Sequence, residues 1–147
     1  GLMSVAMLVT AGVAWSVGTS DALLSIFRDP LTLRPGDAPL AFDGAAAPGC
    51  QLIGGPVRDL NLMVRDGTGG MAAVSPGAAW QAPAGARAGL FAHVAGRWRN
   101  GEEQRTLPAL SLLWFDAPPP GDWHFEPDAP APAAGWWLHH IPEGVTP

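Results

Sequence analysis

Residues 51–65 read QLIGGPVRDLNLMVR, and the fold class turns on how that run is taken. Gly54, Gly55 and Pro56 make a corner, since glycine reaches backbone angles closed to other residues and proline holds its own φ. Beyond the corner, polar and apolar residues alternate through residues 57–65. A period of two marks a strand, because successive side chains point to opposite faces. Val57, Asp59, Asn61, Met63 and Arg65 fall on one face, and Arg58, Leu60, Leu62 and Val64 on the other. The Leu60/Leu62/Val64 face belongs in a core. The opposite face lines up a carboxylate, an amide, a thioether and a guanidinium. That row is either the polar wall of a binding site at a barrel mouth or the wet side of an antiparallel sheet.

The rest of the chain repeats the strand signal. Turn residues recur at short intervals: DP (29–30), RPGD (34–37), FDG (42–44), APG (47–49), GGP (54–56), DGTGG (66–70), SPG (75–77), NG (100–101) and PPPGD (118–122). Short apolar or alternating runs lie between them, and no segment keeps a 3.6-residue period between caps. The pattern predicts an all-β domain of antiparallel strands with almost no helix. Strands are expected over 3–9, 13–17, 22–27, 31–33, 50–53, 57–65 and 89–99, with a last strand in GWWLHHI (135–141). Asn100-Gly101 predicts a type I′ hairpin leading into a second arm over 102–115, which Pro108 confines to residues 109–115 or to a sheet edge. Residues 127–135, PDAPAPAAG, read as an exposed Pro/Ala linker. No internal repeat is visible in the sequence.

Composition narrows the class. The chain has 147 residues, enough for one domain, with 48% hydrophobic and only 14% charged residues. Gly (19) and Pro (16) are abundant, but the apolar content argues for turns between strands rather than disorder. Every basic residue is an arginine, and the net charge is −5. No basic stripe exists to neutralise phosphates, so nucleic acid is not an expected partner. Residues 1–20 carry no charge, yet they lack the basic start of a signal peptide. Ser4, Thr10, Ser16 and glycines interrupt them as a membrane span, so two buried strands broken at Gly12 are expected instead. The lone Cys50 has no disulfide partner in the chain, which suits a reducing, cytoplasmic setting.

The run LAFDGAAAPGCQLIGGPVRDLNLMVRDG (40–67) resembles the signature segment of the HutD/Ves family. The residues that carry the likeness are Phe42, Asp43 and Gly44 at one corner, Leu52, Gly54, Gly55 and Pro56 at the next, then Arg58 through Met63. Residues 3–16 and the hairpin over 90–116 resemble other parts of the family more weakly. The family's upstream W-x-N-G-G-G-x-T-like motif has no counterpart, and its basic pair after N-L-M is reduced to Arg65 followed by Asp66. The resemblance implies a single cupin-like β-barrel or jelly roll over 1–147 that is shortened at its start. It also implies a non-enzymatic protein that moderates histidine utilisation by binding a small metabolite such as formylglutamate. Asp59, Asn61, Met63 and Arg65 are then the candidate ligand face, with Phe42 and Gln51 as neighbours. Asp43, Gly44, Gly55, Pro56 and Arg58 form the surrounding structural motif. Arg65 offers a two-pronged donor pair and Asn61 a donor and an acceptor, which suits a carboxylate or formyl group.

Other chemistries are less well supported. His93, His124, His139 and His140 show no metal-ligand spacing, and adjacent His139 and His140 point to opposite faces of a strand. Neither a metal nor any other cofactor is expected. His93 reads as a packed or hydrogen-bonded residue. Cys50 reads as a buried small hydrophobe rather than a nucleophile. No serine sits in a nucleophile elbow, and DGTGG lacks the ending of a phosphate loop. Trp98 and Trp123 lie beside turns, where they could stack on a sugar. Three readings stay open: metabolite binding without catalysis, a cupin enzyme on a small metabolite, and an interaction module or inert truncated relative that forms a homodimer.

Overall fold

A computed structural model of the chain describes residues 4–10, 21–26, 29–33, 40–43, 49–53, 58–64, 66–131 and 133–145. All regular structure among them is β. The strands are β1 (Ser4–Thr10), β2 (Asp21–Ile26), β3 (Asp29–Leu33), β4 (Leu40–Asp43), β5 (Gly49–Ile53), β6 (Arg58–Val64), β7 (Thr68–Ala73), β8 (Arg87–Ala92), β9 (Gly96–Asn100), β10 (Glu103–Leu107), β11 (Ser111–Phe115), β12 (Trp123–Pro127) and β13 (Gly135–Ile141). They divide between two compact units, Gly1–Asp66 and Gly67–Pro147. The expected strand over 13–17 lies outside the described residues.

The first unit holds two antiparallel sheets, ordered β4-β1-β6 and β3-β2-β5. The second holds β11-β8-β13-β7 and β10-β9-β12. Adding seven to each label of the first unit reproduces the second, with β7 as an extra strand. In both units three successive arms each contribute one strand to either sheet, and the first arm lies in the middle both times. The hairpins agree in detail: Ile26 opposes Asp29 across two residues, and Asn100 opposes Glu103 across two residues. A repeat of topology is thus present where none is visible in the sequence. Backbone pairing tolerates any side chain that keeps the two-residue alternation, so shared topology need not leave shared residues.

The second unit shows how its sheets pack. Ala88, Leu90, Ala92 and Trp137 from one sheet meet Trp98, Leu107, Trp123 and Phe125 from the other in one buried cluster. Trp98 and Trp123 cross edge to face with centroids 5.3 Å apart, and Trp80 stacks on Trp137 at 5.2 Å. Such aromatic pairs add to the burial of the rings themselves. Both faces of β13 are covered, because Trp136 and Leu138 on its other side are buried as well. The result is an all-β, cupin-like sandwich, and among the described residues no sheet closes into a barrel.

Several expectations need correcting. The run 89–99 is two strands, β8 and β9, with a bend at residues 93–95. The arm 102–115 is likewise β10 and β11, bent at residues 108–110, where Pro108 sits. Strands commonly change sheets at such corners. The hairpin turn is shifted by one residue. Asn100 is the last paired residue of β9, and only Gly101 has positive φ, at 59°. That matches a II′ connection with glycine first, not a I′ turn. Residues 68–73 and 123–127, which the turn signals obscured, are strands β7 and β12. The segment after β12 is exposed at residues 128–130, but Ala134 is buried, and its carbonyl accepts from the amides of His93 and Val94.

Candidate functional site

The candidate ligand row begins on β6. Strand β6 pairs with β1, which pairs in turn with β4. Residues directly opposite one another share a face of the sheet. Val5 stands opposite both Met63 and Phe42, and Met7 stands opposite both Asn61 and Leu40. Asp59 follows opposite Val9. One face of this sheet therefore carries Asp59, Asn61, Met63 and Phe42 together, along with Val5, Met7, Val9 and Leu40. The other face carries Leu60, Leu62 and Val64, of which Val64 is buried and the two leucines half-buried. The expectation that these three turn inward agrees with that gradient.

Gln51 is placed elsewhere. It lies on β5, in the other sheet of the same unit, opposite Leu23. Asp43 ends β4 opposite Ser4, and Arg58 begins β6 opposite Thr10. Arg65, Gly44, Gly55 and Pro56 lie outside the described residues. Cys50 stands opposite Leu24 in the register of β5 with β2.

The second unit carries further polar groups. On the sheet β10-β9-β12, Arg99 stands opposite His124 and Gln104, and Arg97 opposite Glu126 and Thr106. This polar face turns away from the tryptophan core. Arg99 donates to Glu126. At the hairpin end, a groove of about 570 Å³ is lined by Arg99, Asn100, Gly101, Pro120, Gly121, Asp122 and His124. The Asn100 amide donates to the carbonyls of Pro120 and Asp122 at 2.9 and 3.3 Å, and Gln81 donates to the Asp122 carboxylate at 2.7 Å. Sequence reading missed this groove, because Arg99 and His124 are 25 positions apart and meet only through strand pairing.

The histidines occupy four distinct surroundings. His93 is buried, with Nδ1 3.0 Å from the Ala133 carbonyl, in keeping with a packed, hydrogen-bonded residue. His124 lies beside Arg99 on the polar face. His139 shares the inner side of β13 with Trp137, and burial and the neighbouring His140 hold its pKa below the usual 6.5. His140 projects to the opposite side. Among the described residues no three His, Cys, Asp or Glu side chains converge as a metal site would require.

Trp98 and Trp123 are fully buried. They cannot stack on a sugar, and that part of the carbohydrate reading is overturned. Their apparent position beside turns follows from the short strands, not from exposure.

Among known protein families, the model described as HutD matches residues 21–132. No curated protein and no solved structure matches the chain.

Proposed function

The chain belongs to the HutD family, and from that premise we propose that it binds a small carboxylate- or formyl-bearing metabolite without converting it, and so moderates histidine utilisation. The observation that carries this reading is the register of β4-β1-β6, which gathers Asp59, Asn61, Met63 and Phe42 onto one face. In that register Val5, Met7 and Leu40 stand beside an amide and a carboxylate, the mixture of residue types that small-ligand sites use. Asn61 supplies one donor and one acceptor. Arg65, next after β6 in the sequence, supplies the guanidinium for a carboxylate. Asp59 holds that arginine in place or meets an amide of the ligand.

Thermal unfolding with formylglutamate, urocanate, histidine and glutamate tests the proposal. The cognate ligand at about 100 times its dissociation constant should stabilise the protein by roughly 2.7 kcal/mol. Arg65→Ala and Asn61→Ala should each remove that shift while leaving the unliganded midpoint close to wild type. If no ligand moves the wild-type transition, the reading is wrong for these metabolites. Turnover of any of them by the wild type would point instead to the enzyme reading.

A further inference from the structure

The dipeptide Asn100-Gly101 carries a chemistry that the hairpin itself does not use. The side-chain amide of an asparagine is open to attack by the next backbone nitrogen, and glycine at the next position puts no Cβ in the way. The chain has two asparagines, and only Asn100 precedes a glycine, because Asn61 precedes Leu62. Gly101 is the exposed first residue of the two-residue turn between β9 and β10, outside the ladder that ends at Asn100 and Glu103. Among the described residues, nothing lies within 4 Å of where a Cβ on Gly101 would stand. The attacking nitrogen is therefore uncrowded and takes no part in strand pairing.

Asn100 also stands at a junction. It pairs with Glu103 of β10 and with Trp123 of β12. Trp123 is fully buried and exchanges two backbone hydrogen bonds with Trp80, at 2.9 and 2.7 Å. Asn100 Nδ2 donates to the Pro120 carbonyl at 2.9 Å and to the Asp122 carbonyl at 3.3 Å. Gln81 ties the same loop through the Asp122 carboxylate at 2.7 Å. One side-chain amide thus braces residues 120–122, and one backbone position joins three strands.

We propose that Asn100 is a site of spontaneous deamidation, and that its conversion unlatches residues 118–122. The Gly101 nitrogen attacks Cγ of Asn100. The N–Cγ bond forms, the Cγ–Nδ2 bond breaks, and the Gly101 amide proton leaves with Nδ2 as ammonia. Water then opens the five-membered imide. Addition at Cγ gives aspartate, and addition at the main-chain carbonyl gives isoaspartate, in which the chain runs on through Cβ and Cγ. Either product lacks the Nδ2 donor, and its carboxylate faces carbonyl oxygens to which it cannot donate. In isoaspartate the backbone also gains a methylene where β9 meets both neighbours, which disturbs the register at that end of the sheet. Ring closure requires Nδ2 to leave the two carbonyls. Opening of the loop therefore admits the reaction, and the reaction then keeps the loop open. This inference stands apart from the ligand proposal and needs no residue of the first unit.

Tryptic mapping by mass spectrometry tests it. Cleavage after Arg99 and Arg105 isolates residues 100–105, and cleavage after Arg58 and Arg65 isolates residues 59–65, which hold Asn61 as an internal control. After incubation of the folded protein in mildly alkaline buffer, position 100 should carry aspartate and isoaspartate, severalfold ahead of any conversion at Asn61. Gln81→Ala removes one tie on the loop and should speed conversion severalfold. In the converted protein, and in Asn100→Asp, the amides of Gly121 and Asp122 should exchange severalfold faster while those of β8 keep their rates. An Asn100 that stays an amide in the folded protein, under conditions where the same chain in urea converts, overturns the proposal. So does conversion no faster than at Asn61, and so does a converted protein whose Gly121 and Asp122 amides exchange as before.

Discussion

At the scale of single residues, one tight constraint in the second unit is between Gly70 and His139. They stand opposite one another on β7 and β13. A Cβ placed on Gly70 would lie 2.3 Å from His139 Cε1. Gly70 is therefore required by the neighbouring ring and not by backbone conformation. Gly70→Ala should cost about 1–3 kcal/mol through overpacking. In a double-mutant cycle, His139→Ala should remove most of that cost, which urea titration can measure. The same histidine makes stability depend on pH. Its folded-state pKa is lowered, chiefly by burial. The unfolded chain takes up the proton near 6.5 while the folded chain resists it. Stability from neutral His139 is thus complete above pH 6.5 and is lost as pH falls toward the lower folded-state value. His139→Asn should flatten the stability profile over that interval. A midpoint unchanged between pH 7.5 and 5 in the wild type would count against it.

At the scale of elements, the β9–β10 hairpin shows how a turn signal divides its work. Asn100-Gly101 marks the right place in the sequence, but the two residues do different things. Gly101 supplies the positive φ of 59°. Asn100 stays in β9, and its amide braces the loop carrying Pro120 and Asp122. Gly101→Ala should cost about 1–2 kcal/mol because an L side chain is strained there. Asn100→Ala should leave the turn intact and loosen residues 118–122, seen as faster amide exchange in that loop. The strands around it were only partly legible. A run of eleven apolar and alternating residues reads as one strand, and the bend at residues 93–95 follows from packing two sheets face to face. Strand β7 was obscured because glycines that signal turns locally can also make room for a neighbouring ring.

At the scale of the whole molecule, two units share one topology and differ in what fills them. The described strands of the second unit carry Phe91, Trp98, Trp114, Phe115, Trp123, Phe125, Trp136 and Trp137, whereas those of the first carry only Phe42. Where hairpin registers are matched, Trp98 corresponds to Leu24 and Phe125 to Cys50. The second unit is thus built around a large aromatic cluster. Trp123→Ala should cost about 3–5 kcal/mol by the removal of a fully buried ring. Trp98→Phe should be far milder than Trp123→Ala. Trp98 Nε1 is buried without a hydrogen-bond partner among the described residues, so the change also removes an unsatisfied donor. Guanidinium denaturation of both variants would rank them.

The sequence by itself determined the fold class and the family. Alternation of period two, frequent glycine and proline punctuation and the run from Phe42 to Met63 are local properties, and local steric rules act on them directly. It also determined that Asp59, Asn61 and Met63 share one side of a strand. Tertiary structure decided which strands lie beside β6, and so that Phe42 joins that row while Gln51 goes to another sheet. It decided that Trp98 and Trp123 are core, that Arg99 meets His124, and that the same topology occurs twice. These depend on pairing between distant segments. Pairing is set by backbone hydrogen bonds and by burial summed over many side chains, and no short stretch of sequence carries that sum.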